Sequence, residues 1–273
     1  MLLLALASAA RAEGTPKKYA WDENWPRFRP AEYAVTGVAL VGAAANYFLV
    51  PPPVTPVWRG PILFDRQARN VLLIGSEQGR DKVRLAADLL TIPLMGYAML
   101  DGPVTAAWAG RNRDTAIQLA LINAETFAVV EVLNLSISNA LPRSRPEGAV
   151  CDPQSKYDTN CVKSFWSGHT ANVFAAASLI CVEHLEVGLY GGGRADKAAC
   201  ASALAVASVV GVSRVTSNNH HASDVLVGAA VGAATGYLMP RLLHFRPKKE
   251  NKLGYLVPSV NPRGGGLTYV KAW

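Results

Sequence analysis

The sequence predicts an all-α protein: a core bundle of six helices that crosses a membrane and carries its functional site at one end. Half of the 273 residues are apolar and only 17% are charged. The mean hydropathy of +0.15 lies between that of a soluble enzyme and that of a dense membrane protein. The apolar residues gather in six runs, and the distinctive polar clusters lie at the ends of these runs, which an up-and-down bundle brings together on one face.

The six apolar runs each have about the length of a helix that crosses a bilayer, which needs ~20 residues. They are residues 33–50, 84–101, 115–135, 169–185, 198–212 and 224–240. Their Ala and Gly content favours close helix packing, in lipid or in a soluble bundle. Between the first two runs, FDRQARNVLLIGSEQG has the apolar spacing of a short surface helix. The C-terminal LGYLVPSVNPRGGGLTYVKAW predicts two short extended pieces around a glycine turn.

The N-terminal MLLLALASAARAEG has the pattern of a secretory signal with cleavage after Ala12, although the usual positive residues before its apolar core are missing. We therefore expect a signal peptide at 1–12, a helical domain at 13–246 and an extended tail at 247–273. Cys151 and Cys161 flank a polar loop and predict either a disulfide or two free thiols. Cys181 and Cys200 lie in apolar runs and are interpreted as small core residues.

The charge pattern favours an anionic lipid or phosphate as the partner and argues against nucleic acid. The net charge is +7 and the pI is near 9.3, but the Lys and Arg residues are scattered between apolar runs and do not form one periodic face. The histidines and cysteines lack paired metal-ligand spacings, so we expect no metal site.

Three polar clusters flank the helices at the predicted functional end. They are SNALPRSRPEG after the third run, SFWSGHT at the start of the fourth, and SRVTSNNHHASD between the fifth and sixth. Ser167 is placed to cap a helix whose free N–H groups bind an anion, and Gly168 permits close backbone approach. Arg145 and Arg214 suit bidentate phosphate binding. The sequence therefore predicts a phosphate pocket.

Two histidines in these clusters predict phosphoryl chemistry. His220 and Asp224 are four residues apart, so the carboxylate can hold one ring nitrogen and leave the other free as a nucleophile. His169 is then available to protonate a leaving alcohol. The alternative is that SNNHHASD is only a helix cap formed by Ser223 or Asp224, with the histidines in a loop.

The clusters resemble the type 2 phosphatidic acid phosphatase and vanadium haloperoxidase superfamily over about residues 60 to 245. The superfamily signature is Lys-x6-Arg-Pro, then Pro-Ser-Gly-His, then Ser-Arg-x5-His-x3-Asp. The matching residues are Arg145-Pro146, Ser167-Gly168-His169, and Ser213-Arg214 with His220 and Asp224. The resemblance implies a phosphohistidine on His220, oriented by Asp224, with His169 as general acid. It also implies phosphoryl binding by Arg145, Arg214, Ser167 and Gly168.

The chain departs from this signature at two positions. Ser138 stands where the motif has lysine, and Trp166 stands where it has proline. Loss of one positive donor aimed at the transition state costs on the order of 10²–10³ in turnover. Lys163 and Arg143 are the candidate compensating cations.

We therefore expect a phosphatase that acts on phosphate monoesters or diphosphates, chiefly of lipids, without a metal or other cofactor. One alternative is a phosphate- or lipid-binding relative that is catalytically weakened by the missing lysine. The other is a vanadate-dependent haloperoxidase, in which vanadate takes the place of phosphate; in a phosphatase vanadate would act only as an inhibitor.

The basic residues predict an inner-membrane protein whose site faces the periplasm. Those on the side opposite to the site are Arg111, Arg113, Arg194, Lys197, Arg246, Lys248 and Lys249, and positive loops favour the cytoplasm. A cleaved signal peptide does not agree with six spans and a cytoplasmic tail, so an exported periplasmic protein is the alternative. We expect His184 and His244, near the opposite helix ends, to lie at the membrane interface.

Overall fold

The computed structural model describes residues 19–146, 148, 160–246, 255–261 and 264–270. Seven helices lie within these residues: α1 (Pro30–Phe48), α2 (Asp65–Leu72), α3 (Glu77–Val104), α4 (Arg113–Ala140), α5 (Gly168–Val187), α6 (Arg194–Thr216) and α7 (Ala222–Ala233). A π-helical turn (Thr105–Ala109) extends α3, and a second one (Ala234–Leu238) with a last α-helical turn (Met239–Leu243) extends α7. The six predicted helices are confirmed, and α2, the predicted surface helix, raises the count to seven.

Short elements lie outside the seven helices. A 3₁₀ helix (Asn160–Val162) precedes α5. Strands β1 (Tyr255–Asn261) and β2 (Gly264–Val270) pair antiparallel, which confirms the two extended pieces predicted for the tail. The predicted signal peptide at 1–12 and Cys151 lie outside the described residues.

Five helices in the described part of the chain are long and apolar enough to cross a membrane: α3 with its extension, α4, α5, α6, and α7 with its extension. Large apolar side chains are exposed on their outer faces, among them Leu85, Leu89 and Ile92 on α3, Val209 and Val212 on α6, and Leu226 on α7. Contiguous exposed apolar surface of this kind fits a lipid environment. The chain is therefore a membrane protein.

Helix α5 forms the centre of the bundle. Of its most apolar stretch, 72% is buried, compared with 22% in α3 and 28% in α7. Gly228, Gly232 and Gly236 recur every fourth residue along α7, and a Cβ atom at these positions would lie 2.7, 2.2 and 2.1 Å from backbone oxygens of α5. Because only glycine permits this approach, the spacing fixes the α5 and α7 N-termini side by side.

The interpretation of Cys181 and Cys200 as separate core residues is wrong, because the two form a disulfide between α5 and α6. Their Cα atoms lie 4.4 Å apart. The small Ala-rich surfaces of the two helices permit this close contact, and it brings together cysteines that are 19 residues apart in the chain.

His184 and His244, which are expected near the membrane interface, have side chains that are buried within the protein at the end opposite to the polar clusters. His184 is held between two carboxylates, with Nδ1 2.8 Å from Asp196 and Nε2 2.8 Å from Asp101. His244 Nε2 lies 3.0 Å from the Glu125 carboxylate. Buried imidazoles need such partners, and here the partners join the ends of different helices.

Candidate active site

The His220 side chain lies in the loop between α6 and α7 and is 3% exposed. Its Nδ1 is 2.7 Å from the backbone oxygen of Ser164. A carbonyl oxygen only accepts, so Nδ1 must carry the hydrogen and Nε2 keeps its lone pair. Burial, and then the charges of Arg145 and Arg214, hold the pKa of His220 well below its ordinary value. The ring is therefore a neutral imidazole with a free Nε2, as a nucleophile requires.

Asp224 does not take the place predicted for it beside His220. Its Oδ2 accepts hydrogen bonds from the Ser164 hydroxyl at 2.6 Å and from the His221 backbone N–H at 3.1 Å, and its Oδ1 accepts one from Arg143. Among the described residues, the polar partner of the His220 ring is the Ser164 carbonyl. Asp224 thus acts on His220 through Ser164, because it holds the segment that provides the carbonyl.

The helix-cap interpretation of SNNHHASD also describes part of the structure. Helix α7 begins at Ala222, and the Asp224 carboxylate binds the backbone N–H just before it. The Ser223 hydroxyl instead faces Asp65, at 2.9 Å. One carboxylate therefore both caps α7 and fixes the His220 segment.

Arg143 lies at the centre of a buried ion cluster and is fully buried. Its guanidinium donates to Asp65 at 2.8 Å, to the Gly60 carbonyl at 2.9 Å, to the Ser223 hydroxyl at 2.9 Å, and to Asp224. With these acceptors in place, Arg143 is committed to neutralising two carboxylates. The structure therefore argues against Arg143 as the compensating cation.

Asp65 is the residue of this cluster that the sequence analysis missed. It begins α2 and is 1% exposed. Burial alone would raise the pKa of its carboxyl, but backbone N–H groups of Ile62 and Ser223, together with Arg143, outweigh burial and lower the pKa. Asp65 is thus a buried carboxylate that ties α2 to the start of α7. The acidic residue at the start of the predicted surface helix was the available signal.

Two arginines lie near His220, and Lys163 lies near one of them. Arg214 is 4% exposed, and within the described part of the chain its Nε and Nη1 atoms are buried without a hydrogen-bond partner. Arg145 lies close enough to contribute to the low pKa of His220. Burial, and then the Arg145 charge, lower the pKa of Lys163 as well. Buried guanidinium nitrogens without partners beside further positive charge form a site for an anion.

The start of α5 forms another wall of the site. Ser167 is fully buried, and its hydroxyl caps the helix by accepting from the Thr170 N–H at 3.4 Å and the Thr170 hydroxyl at 2.9 Å. A Cβ at Gly168 would lie 2.6 Å from the Asn134 amide nitrogen. A side chain at position 168 would therefore have to displace Asn134.

His169 faces the same region from the first turn of α5. Its Nε2 lies 3.0 Å from Asp88 Oδ1, and Arg214 Nη1 lies 3.5 Å from the same oxygen. The His169 side chain is 41% exposed, so it is accessible to a ligand. The structure brings together the residues predicted from all three clusters and adds Asp88, on α3, to them.

Two arginines support the loop that carries His220. Arg69, on α2, donates through Nε to the Asn218 side chain at 2.7 Å, and Arg84, on α3, donates through Nε to Asn219 at 2.6 Å. Asn218 has a positive φ of 64°, a conformation that asparagine tolerates better than most residues. These contacts join α2 and α3 to the residues just before His220. The Asn-Asn pair before the two histidines was the available sequence signal.

Ser138 and His221 have structural roles. The Ser138 hydroxyl donates to the Leu135 carbonyl of its own helix at 3.1 Å, so the position of the motif lysine does not provide a charge to the site. His221 Nε2 lies 3.3 Å from the Ser144 carbonyl. Burial, and then the Arg143 charge, lower the pKa of His221 to about 4, so this ring is neutral.

Comparison with known proteins agrees with the placement of the motifs. A family model described as PAP2 superfamily matches residues 115–248, which contain all three motifs. The lipid A 1-phosphatase of Porphyromonas gingivalis is 46% identical over 174 residues, 64% of this chain and 34% of that protein. The chain thus spans about a third of that relative's length. The crystal structure of the first transmembrane PAP2-type phosphatidylglycerolphosphate phosphatase from Bacillus subtilis aligns with 77% of this chain and 94% of that one, at 20% identity and a TM-score of 0.48.

Proposed function

We propose that this chain, whose residues 115–248 match the PAP2 superfamily model, is a membrane phosphatase that hydrolyses lipid phosphates or diphosphates through a phosphohistidine on His220. One observation carries the proposal. The unprotonated Nε2 of His220 lies near Arg214, two of whose guanidinium nitrogens are buried without a hydrogen-bond partner among the described residues. A nucleophile beside a preformed anion site is the arrangement that phosphoryl transfer requires.

The proposed reaction has two steps. In the first, His220 Nε2 attacks phosphorus, the P–O bond to the lipid breaks, and His169 gives the leaving oxygen its proton. In the second, His169 takes a proton from water, and the resulting hydroxide attacks the phosphohistidine and releases inorganic phosphate and neutral His220. Arg214 and Arg145 hold the phosphoryl oxygens, with the Ser167 hydroxyl and the N–H groups at the start of α5.

We propose that Lys163 replaces the missing motif lysine. Its pKa is lowered by burial and by the Arg145 charge, which places its ammonium near the phosphate-binding arginine. Arg143, the other candidate, is occupied by Asp65 and Asp224. We expect Lys163→Ala to reduce turnover on the order of 10²-fold, and turnover unaffected by this change would exclude the compensation.

A lipid substrate is supported by the membrane helices and by an apolar cleft. The cleft has a volume of about 460 Å³, and its lining includes Asn172, about one turn of α5 beyond His169. It is lined by Leu40, Ala43, Met95, Met99, Ala124, Phe127, Ala128, Glu131 and Asn172. We propose that it holds an acyl or isoprenyl chain while the phosphate binds at Arg214. The name of the P. gingivalis relative supports a lipid phosphate substrate.

We propose that the protein lies in the inner membrane with this site on the periplasmic side. The basic residues of the opposite loops support this orientation, because positive loops favour the cytoplasm. Helix α1 is not among the five spans found in the described residues. An odd number of spans places the two chain ends on opposite sides, which would agree with a cleaved signal peptide and a cytoplasmic tail.

The test is phosphate release by the protein, purified in mild detergent without added metals, from phosphatidic acid, an isoprenyl diphosphate and a chromogenic ester. We expect release from the wild type, none from His220→Ala, and measurable release from His221→Gln, which changes the neighbouring histidine. No release from the wild type but clear release from Ser138→Lys would instead identify a phosphate-binding relative that has lost catalysis. Vanadate-dependent peroxide chemistry would identify a haloperoxidase.

A further inference from the structure

Asp88 is a single charge in an otherwise apolar part of α3. Between residues 85 and 100 it is the one charged residue, and the leucines on both sides of it are exposed on the outer surface of the bundle. An acidic residue in a membrane-spanning helix costs free energy, and such residues usually face the interior of the bundle. Asp88 also lies before residues 115–248, which the PAP2 family model matches, so no family motif assigns a role to it.

The position of Asp88 is defined by two residues of the site. Its Oδ1 is 3.0 Å from His169 Nε2 and 3.5 Å from Arg214 Nη1. That oxygen is shielded from solvent, although the side chain as a whole is 50% exposed. A carboxylate at this distance favours the imidazole form that carries hydrogen on both nitrogens, since only that form pairs a positive ring with the negative charge.

We propose that Asp88 is a positioning residue for the general acid: it favours the protonated form of His169 against burial and the Arg214 charge, and holds the ring beside the phosphoryl site. The inference rests on the proposed phosphatase function. Asp88 remains a carboxylate throughout: the proton moves from His169 Nε2 to the leaving oxygen, and His169 regains a proton from the attacking water. Asp88 then pairs with the recharged ring.

The charges that face His169 come from four elements. Asp88 lies on α3, Arg214 on α6, Arg145 on the segment before α5, and His220 on the loop before α7. Two of the four are cations, which favour the neutral ring, so Asp88 is the one group among them that favours the charged ring. Removal of its charge is therefore expected to release the His169 proton at lower pH.

A competing role for Asp88 is that of a resident anion that occupies the phosphate site of the free protein. The two roles make opposite predictions. A blocking carboxylate would weaken substrate binding, so its removal would lower KM and raise turnover. A positioning carboxylate would leave KM nearly unchanged, and its removal would lower kcat.

The experiment compares Asp88→Asn and Asp88→Glu with the wild type in detergent. Glu77→Gln is the matched control, because it removes an exposed carboxylate from the start of the same helix. We would measure kcat and KM for phosphate release from phosphatidic acid as a function of pH. In parallel, NMR of ¹⁵N-histidine-labelled protein would follow the titration of His169, which needs no turnover; a His169→Gln sample would assign the signal.

We expect Asp88→Asn to lower kcat at least about 10-fold with KM changed less than about threefold. The alkaline limb of the kcat profile and the His169 titration should both move to lower pH by about one pH unit. Asp88→Glu should recover part of both effects, and Glu77→Gln should show neither. An unchanged His169 titration, or a lower KM with higher turnover, would overturn the proposal. If the wild type releases no phosphate, the proposed function fails and the titration alone decides the role of Asp88.

Discussion

Asp65→Asn tests whether the buried ion cluster holds the site together. Asp65 and Arg143 are both fully shielded and lie 2.8 Å apart. Removal of one charge from a buried pair costs about 3–5 kcal/mol, and here Arg143 keeps Asp224 as a second carboxylate partner. Asparagine still accepts a hydrogen bond, so we expect the lower value, about 3 kcal/mol. At about 2–4 °C per kcal/mol for a chain of this size, the apparent Tm in detergent should fall by about 6–12 °C.

The matched control is Asp81→Asn, which makes the same change in an exposed pair. The Asp81 side chain is 58% exposed and lies 3.1 Å from Arg84, and such a surface pair contributes at most about 1 kcal/mol. Equal Tm losses in the two variants would refute the reasoning.

The pH dependence of the Tm difference is a second test. Because the folded pKa of Asp65 is lowered, its stabilisation is present above the unfolded pKa of about 3.9 and is lost as pH falls through the folded pKa. The difference in Tm between the wild type and Asp65→Asn should therefore be constant at neutral pH and should disappear at strongly acidic pH. If the difference in Tm instead disappeared at alkaline pH, the lowered pKa of Asp65 would be contradicted.

Three further changes test the packing and the placement of the nucleophile. Gly232→Ala would put a Cβ 2.2 Å from an α5 carbonyl and should lower stability by about 1–3 kcal/mol, whereas Gly37→Ala, with nothing within 4 Å, should leave the Tm unchanged or raise it slightly. Arg84→Gln removes the charged donor from Asn219 and should lower kcat with little change in KM, as steady-state kinetics would show. Asp224→Asn should lower the Tm about as much as Asp65→Asn, but the acid limb of the turnover profile should not move, because the ring of the nucleophile bonds a carbonyl.

The helices could be predicted from the sequence because each apolar run satisfies its own backbone hydrogen bonds, whatever its neighbours are. The contacts between helices could not be predicted in the same way. The Cys181–Cys200 disulfide joins two helices that lie close because of their small residues. His184 is buried between carboxylates from two other segments. Both depend on which helix faces contact each other, which the apolar pattern of a single run does not determine.

The three motif clusters predicted which residues form the site, but not how these residues are paired. The spacing of His220 and Asp224 permits a direct contact, yet the Ser164 segment lies between them and supplies the carbonyl. Asp65 and Asp88 were missed because each lies far along the chain from the motifs and has no recognisable spacing to them. Only the packing of α2 and α3 against the ends of α6 and α7 brings them to the site.

The two histidines of the site have different polar partners, which suits their different proposed tasks. A nucleophile must be neutral, and His220 bonds a neutral carbonyl while two arginines and burial oppose its protonation. An acid must hold a proton, and His169 lies beside the Asp88 carboxylate. The motif carboxylate, Asp224, would favour a charged His220 if it touched the ring. Instead Arg143 and the Ser164 hydroxyl bind the Asp224 carboxylate, and Arg143 neutralises its charge. Asp224 therefore positions His220 only indirectly, through the uncharged Ser164 carbonyl. The carbonyl beside His220 and the carboxylate beside His169 thus distinguish the two rings that the proposed reaction uses as nucleophile and acid.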